Sequence, residues 1–478
     1  MFPYHDVREF ISELDKQGQL KRISVEVDWN LELGAVMRKV LDTNGPAVMF
    51  ENIKGYSSEF PFFSGTLGTY GRYALTLGLS PTVSVHEITK VYRQRVKTPI
   101  KPVLVDKKNA PCKENVLTGK EIDLFKFPTP LWHVRDGGRY IGTFHCVIAK
   151  DPDTGWVNVG IYRMVIHDKD HLGILFQPGR HAEAIYKKYE QRGQSMPIAI
   201  SIGQDPINFI AAYGRFEAQV SEWDMAGALR TKPVELTKCE TVDLEVPATA
   251  EIVIEGEVPP FERREEGPFG EYTGYYGGTR APRPFVNVTC ITHRNNPINT
   301  GLLEGKPIQE NNILASVENT AAVEDLLMDR LNLGVKAVFD HPWSGVHGVM
   351  VSLKPRYPGH VQRIAHAIWG SEVGYHLDYI FAVDEDIDPT NLNEVLWAIC
   401  TRCKPDRDIH IYRREQASSL WPCLRPDERE AGIGSRALID ATFPAEWPRE
   451  WVPVVSDWLD FPEEIRKRVE SRWQELGF

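Results

Sequence analysis

Apolar positions near the start of the chain, Val7, Phe10, Ile11 and Leu14, recur at helical spacing and stop at Gly18. A helix is predicted there, with Asp6 and Glu9 as a capping box. Short apolar runs such as Ala47–Phe50 and Pro102–Val105 then mix with helical segments, which predicts a small α/β domain over residues 1–111. From 112 to 315 the texture turns strand-rich. Period-two alternation is clear in Val242, Leu244, Val246 and in Ala250, Ile252, Ile254, and further strands are predicted over 140–149, 155–166, 198–202 and 285–292. An antiparallel barrel or sandwich follows, interrupted by a helix over 182–192. Helical periodicity returns over 316–333, where Val323, Leu326, Leu327 and Leu331 share a face; this linker helix leads to a C-terminal α/β domain over 334–450. In the tail, 451–478, Ile465, Val469, Trp473 and Leu476 align on one side of a helix that docks on its own domain or on a neighbouring subunit. The fold class is mixed α/β.

Composition narrows the function classes. At 478 residues the chain exceeds one ordinary core, and its net charge of −11 disfavours general affinity for nucleic acid or anionic membranes. No apolar run approaches the length of a membrane span. Seven cysteines, an odd and sparse set, suit a reducing compartment, so a cytoplasmic, unprocessed protein is expected. Cys400 and Cys403 have C-x-x-C spacing but lack a second pair, and read as packing at a helix end. The run Gly65 to Gly71 does not match a dinucleotide fingerprint.

Candidate chemistry collects in four places. E-E-G-P-F-G-E-Y-T-G-Y-Y, residues 265–276, sets three carboxylates among glycines and aromatics, and reads either as an acidic turn or as a site where desolvated carboxylates move protons. Trp156 to Arg163 is an apolar run carrying Asn158 and Arg163. These two would face opposite sides of a strict strand unless the chain bends near Gly160. His167-Asp-Lys-Asp-His171 reads as a turn between strands, and Arg180-His181 opens a helix, which suits either a phosphate or plain capping. Glu235 sits in an apolar strand start and needs a partner. Asn158, His181 and Glu235 would together make an oxygen-rich set fit for magnesium or manganese; the spacing leaves open whether they converge.

The order of these pieces resembles the UbiD-type decarboxylases. The matching stretches are D-G-G-R-Y-I (136–141), N-V-G-I-Y-R, H-D-K-D-H-L, G-R-H, P-V-E-L-T-K-C, V-P-A-T-A-E-I-V-I-E-G, E-G-P-F-G-E and L-W-A-I-C-T-R-C, spread over nearly the whole chain. The resemblance implies a central split β-barrel that binds flavin, and a C-terminal oligomerisation domain. It implies reversible, non-oxidative decarboxylation of an aromatic or heteroaromatic (α,β-unsaturated) acid, bonded covalently to prenylated FMN, with CO2 as the other product. It also implies Arg163, Glu266 and Glu271 as the catalytic network, with Glu271 the proton donor. Asn158, His181 and Glu235 would hold Mn2+ at the flavin phosphate, with K+ near backbone groups of 222–227. Gly160, Ile161, Tyr162, Arg180 and Arg436 would complete the cofactor site. A flavin prenyltransferase would supply the cofactor, and a homodimer or higher homo-oligomer is expected. Gln177, Arg180 and Tyr272 depart from the ferulic acid decarboxylases and, with His347, suggest a more polar substrate pocket. Two alternatives are a partner-dependent subunit of a multi-component carboxylase and a metal-assisted hydrolase using the paired glutamates.

Overall fold

The computed structural model describes residues 2–277 and 279–478. The first helix, Val7–Lys16, is capped as its sequence predicts: Glu9 N–H donates to Asp6, and His5 N–H donates to the Glu9 carboxylate. It buries Val7, Phe10, Ile11 and Leu14. Nearby lies a four-stranded sheet in the order Leu20–Ile23, Ala47–Phe50, Phe62–Ser64 and Asn299–Thr300. Its last strand arrives from the far end of the central region, so the chain returns to its first sheet before the linker helix begins.

The central sheet has nine strands, and its pairings are antiparallel. Along its main path it runs Tyr140–Gly142, Met164–Asp168, His171–Ile174, Phe285–His293, Ile252–Val258, Met196–Ile202, His145–Lys150 and Val157–Gly160. Period-two patterning feeds cores on both faces. Val147, Ile198, Ile200, Ile252 and Ile254 join one cluster, while Ile148, Ala199 and Val253 join another.

One detail of this order builds the site. Val157–Gly160 is an edge strand, yet the next strand, Met164–Asp168, lies beside the opposite edge. Ile161, Tyr162 and Arg163 alone make the connection, and three residues span at most about 10 Å. The sheet must therefore curl until its edges nearly meet, as a half-barrel, and these three residues cross the seam. The single strand predicted over 155–166 is two strands for that reason, with the bend at Gly160 that the sequence called for.

The linker helix starts earlier than its apolar face suggested, at Glu310, with Gln309 as N-cap; it runs to Glu324 and continues through a wider turn to Arg330. Its first turns are buried nearly all round, so they carry no amphipathic signature. The C-terminal sheet runs Val335–Asp340, Gly348–Leu353, Tyr379–Val383, Ile433–Ala441 and Ile409–Gln416, flanked by helices including His360–Trp369 and Leu392–Arg402. In the tail, the helix Glu463–Ser471 buries none of its residues, and Trp473 and Phe478 remain 50% and 75% exposed. Among the described residues, no helix is long and apolar enough to cross a membrane.

Candidate active site

Arg163, the last residue of the seam, is clamped by two buried glutamates. Its Nε and Nη2 donate to the two oxygens of Glu266 at 2.9 and 2.8 Å, and Nη1 donates to Oε1 of Glu271. Tyr140 adds an O–H bond to Glu266 at 2.9 Å. Both oxygens of Glu266 are thus engaged, whereas Oε2 of Glu271 is free of the arginine. Burial pushes the Glu271 carboxyl up; Arg163 opposes this and Glu266 adds to it. Burial would lower the Arg163 pKa, but Glu271 and Glu266 more than reverse that, so the guanidinium stays charged.

The D-G-G-R-Y run explains why the glutamate loop holds its shape. Asp136 accepts from Gly270 N–H at 2.9 Å and from His133 N–H at 3.0 Å, while Gly137 N–H donates to Pro268. A Cβ on Gly137 would lie 2.2 Å from the Gly267 carbonyl oxygen, so only glycine permits this approach. Gly267 itself has φ +85, in the left-handed region. The loop is braced, and its carboxylates are aimed rather than solvated. His167 to His171 forms the expected turn, where Asp168 and His171 pair at 2.6 Å beside Arg264.

Glu271 lines a cavity with Ile161, Tyr162, Arg163, Gln177 and Tyr272. That cavity adjoins a second one, sharing Tyr162, Arg180 and Arg215 with it; the second is lined also by Asn158, Gly160, His181 and Glu222. Asn158 Nδ2 donates to Glu222 at 2.8 Å, as does Val159 N–H at 3.1 Å. Burial lifts the Glu222 carboxyl to about 7. Burial and Arg180 lower the His181 pKa, which keeps the imidazole neutral and fit to ligate. Arg215 carries two buried nitrogens without a protein partner. A buried guanidinium in that state marks a place for an anion.

Several expectations are corrected by these positions. Glu235 is not with Asn158 and His181: it lies on a strand paired to Val103–Leu104, 48% exposed, 3.9 Å from His5. The carboxylate that meets Asn158 is Glu222, at the start of the helix Glu222–Arg230. Residues 222–227 form the first turns of that helix, and the carbonyls of Asp224 and Gly227 accept from Ile100 and Lys232 N–H. Arg436 lines neither cavity and donates to the carbonyls of Trp369 and Gln416. His347 lies outside the cavity of Glu271; it pairs with Asp378 at 2.7 Å, stacks on Trp421 and faces a separate cleft. Tyr272 and Gln177 do line the cavity of Glu271. Sequence reasoning missed Glu222 and Arg215, and also Glu304 and His376, which line the cavity of Glu271. For Glu222 a signal existed: Ser221-Glu222 is a capped helix start with an acid facing apolar neighbours.

Comparison with known proteins gives a consistent picture. Three family models of 3-octaprenyl-4-hydroxybenzoate carboxy-lyase match in order: the N-terminal domain at 11–92, the Rift-related domain at 103–307 and the C-terminal domain at 313–441. Pyrrole-2-carboxylic acid decarboxylase of Pseudomonas aeruginosa is 30% identical, over 99% of this chain and 98% of the relative. The vanillic acid decarboxylase of Sedimentibacter hydroxybenzoicus in its closed form superposes with TM-score 0.89 at 32% identity, covering 99% of both chains. The UbiD-class enzyme HmfF of Pelotomaculum thermopropionicum, solved with FMN, gives TM-score 0.84 at 33% identity over 95% of this chain and 98% of that one.

Proposed function

The chain belongs to the UbiD family of carboxy-lyases, and from that premise we propose that it catalyses the reversible, non-oxidative decarboxylation of an aromatic or heteroaromatic acid with prenylated FMN as cofactor. The observation that carries this reading is the joined pair of cavities. At one end Arg163 holds Glu266 and Glu271, and at the other Asn158, His181 and Glu222 offer an amide oxygen, an imidazole and a carboxylate. Arg180, Arg215 and the neutral His181 suit the phosphate end of a flavin, with a manganese ion on the Asn158, His181 and Glu222 trio. When bound, the flavin supplies the electron sink for the bond that breaks as CO2 leaves.

The chain's own residues handle orientation and the proton. Arg163 engages both oxygens of Glu266 and holds Glu271 by one. Glu271, whose pKa burial raises, keeps Oε2 clear of the arginine to take up a proton and pass it to the carbon that CO2 vacates; in the carboxylation direction it takes that proton back. Tyr272 and Gln177 shape the substrate end. The hydrolase alternative loses ground because Glu266 has no free oxygen to serve as a base. A flavin prenyltransferase provides the cofactor. A second copy of the chain covers the apolar side of the tail, where Ile465 and Val469 are only half-buried and Trp473 and Leu476 are exposed.

Co-production with a flavin prenyltransferase tests the reading. Metal-replete protein is expected to carry a flavin of prenylated mass and to release CO2 from a panel of aromatic acids. Folded, metal-replete protein that binds no flavin would refute it.

A further inference from the structure

Glu304 follows the short strand Asn299–Thr300 and lines the same cavity as Glu271. Its backbone is held by the brace that fixes the glutamate loop: His133 Nε2 donates to the Glu304 carbonyl at 3.1 Å, and His133 N–H is tied to Asp136. Its side chain has no such support. Oε2 is shielded from solvent and makes no well-formed hydrogen bond; its polar neighbour is the Gln309 side chain, whose Nε2 is likewise left without a partner. Burial raises its pKa well above the usual carboxylate range, and the charged groups that add to the effect, Glu271 and Glu310, are both acids. Glu266 and Glu271, by contrast, both rest on Arg163.

A buried carboxyl in this setting is neutral, and a neutral carboxyl has an oxygen that accepts and an O–H that donates. Inside the protein they meet only the poorly placed Gln309 amide, which leaves a ligand in the cavity to satisfy them. The substrate's own carboxylate is better matched by the cations that line the cavity, Arg163, Arg180 and Arg215, than by a neutral carboxyl. A hydrogen-bond donor on the aromatic ring is a good match.

We infer that Glu304 is a specificity-determining residue that selects aromatic acids bearing an O–H or N–H on the ring, by accepting that hydrogen in its carboxyl oxygen. This rests on the decarboxylase reading above. Sites built to hydrogen-bond a substrate group discriminate strongly against analogues lacking it, because the buried partner is then left unpaired.

The test uses the full chain loaded with FMN, so that binding is measured apart from turnover. Dissociation constants are compared within two matched pairs: pyrrole-2-carboxylic against thiophene-2-carboxylic acid, and 4-hydroxybenzoic against benzoic acid. In at least one pair the wild type is expected to favour the donor-bearing acid by about tenfold or more. Glu304→Leu should bring that ratio to near one, while Glu304→Gln, which keeps an amide oxygen in the same shape, should retain most of it. A wild-type ratio near one in both pairs overturns the assignment, and that result needs no variant to fold. So does a ratio that survives Glu304→Leu. Carbon dioxide release from the prenylated-FMN form is followed in parallel: its absence for every acid would sink the decarboxylase reading, whereas a wild type that turns over but shows no donor preference sinks only this one.

Discussion

Two regions of this molecule bury carboxylates, and they stabilise them by opposite means. At the seam of the half-barrel, Glu266 and Glu271 share the guanidinium of Arg163. Around the linker helix Glu310–Glu324, the carboxylates of Glu310, Glu318 and Asp340 rest on neutral partners, and only at its far end does Glu324 meet a cation, Arg93 at 3.0 Å. Glu310 accepts from the N–H groups of Gly65 and Leu67, Glu318 from the Tyr73 hydroxyl at 2.6 Å, and Asp340 from Asn319 and Ser344. Burial lifts Glu310 and Asp340 to about 7 and Glu318 to about 8. A cation nearby keeps charge available in a desolvated place, which suits proton chemistry. Hydroxyls and amides alone leave the carboxyl holding its proton, which suits packing.

If this contrast is right, the largest effect lies at the seam. Glu271→Gln preserves shape but removes the titrating proton, so turnover should fall by roughly 10³-fold or more, within the range expected for general acid catalysis. Flavin content should stay near that of the wild type, because Glu271 lies with Arg163 and away from the Asn158, His181 and Glu222 trio. Normal turnover by this variant would remove Glu271 as proton donor and break the comparison at its functional end.

The helix should answer to pH instead. Glu318 moves from an ordinary 4.5 in the unfolded chain to about 8 in the fold, so the native state holds the extra proton between those values. Its contribution to stability is full below pH 4.5 and is lost as pH rises towards 8, at about 1.4 kcal/mol per unit of separation at most. Melting of the protein should therefore weaken from pH 5 to pH 8. Glu318→Gln keeps an amide beside Tyr73 and should flatten that slope, with little change at pH 5 and a gain at pH 8. A slope unchanged by the substitution would show that Glu318 is not among the groups that set it.

Much of the seam was legible in the sequence, and the reason is local. Glu266 and Glu271 stand on one braced loop, and Arg163 ends a run whose bend was already marked by Gly160 and by the facing problem of Asn158. What escaped were partners brought in by topology. Glu222 meets Asn158 across 64 residues, through a helix whose start resembles any Ser-capped helix. Glu304 hides in G-L-L-E-G-K-P, where nothing local says that a carboxyl will face a cavity. The linker helix began earlier than predicted because full burial erases the amphipathic pattern on which the prediction relied. The tail was legible as a helix, with an apolar side that its own body leaves half-buried at Ile465 and Val469 and exposed at Trp473 and Leu476.

The smallest expected effect is also the sharpest check on the correction at the metal trio. Glu235 is a third kind of carboxylate: half exposed, on a short strand, with His5 at 3.9 Å as its one ion-pair partner among the described residues. Solvent screens such a contact, and a surface substitution of this sort shifts stability by no more than about 0.5 kcal/mol. Glu235→Ala should therefore leave manganese and flavin content at the wild-type level. Glu222→Ala, in the same assay, removes one of three side-chain donors and should lower both, since Asn158 and His181 alone make a poor site for a hard cation. The two glutamates are 13 residues apart in the sequence, and either could be chosen from composition. Equal losses from both variants would mean that Glu235 acts on the site through the strand it shares with Val103–Leu104. Loss from Glu235→Ala alone would restore it as the ligand and require the helix Glu222–Arg230 to be placed differently.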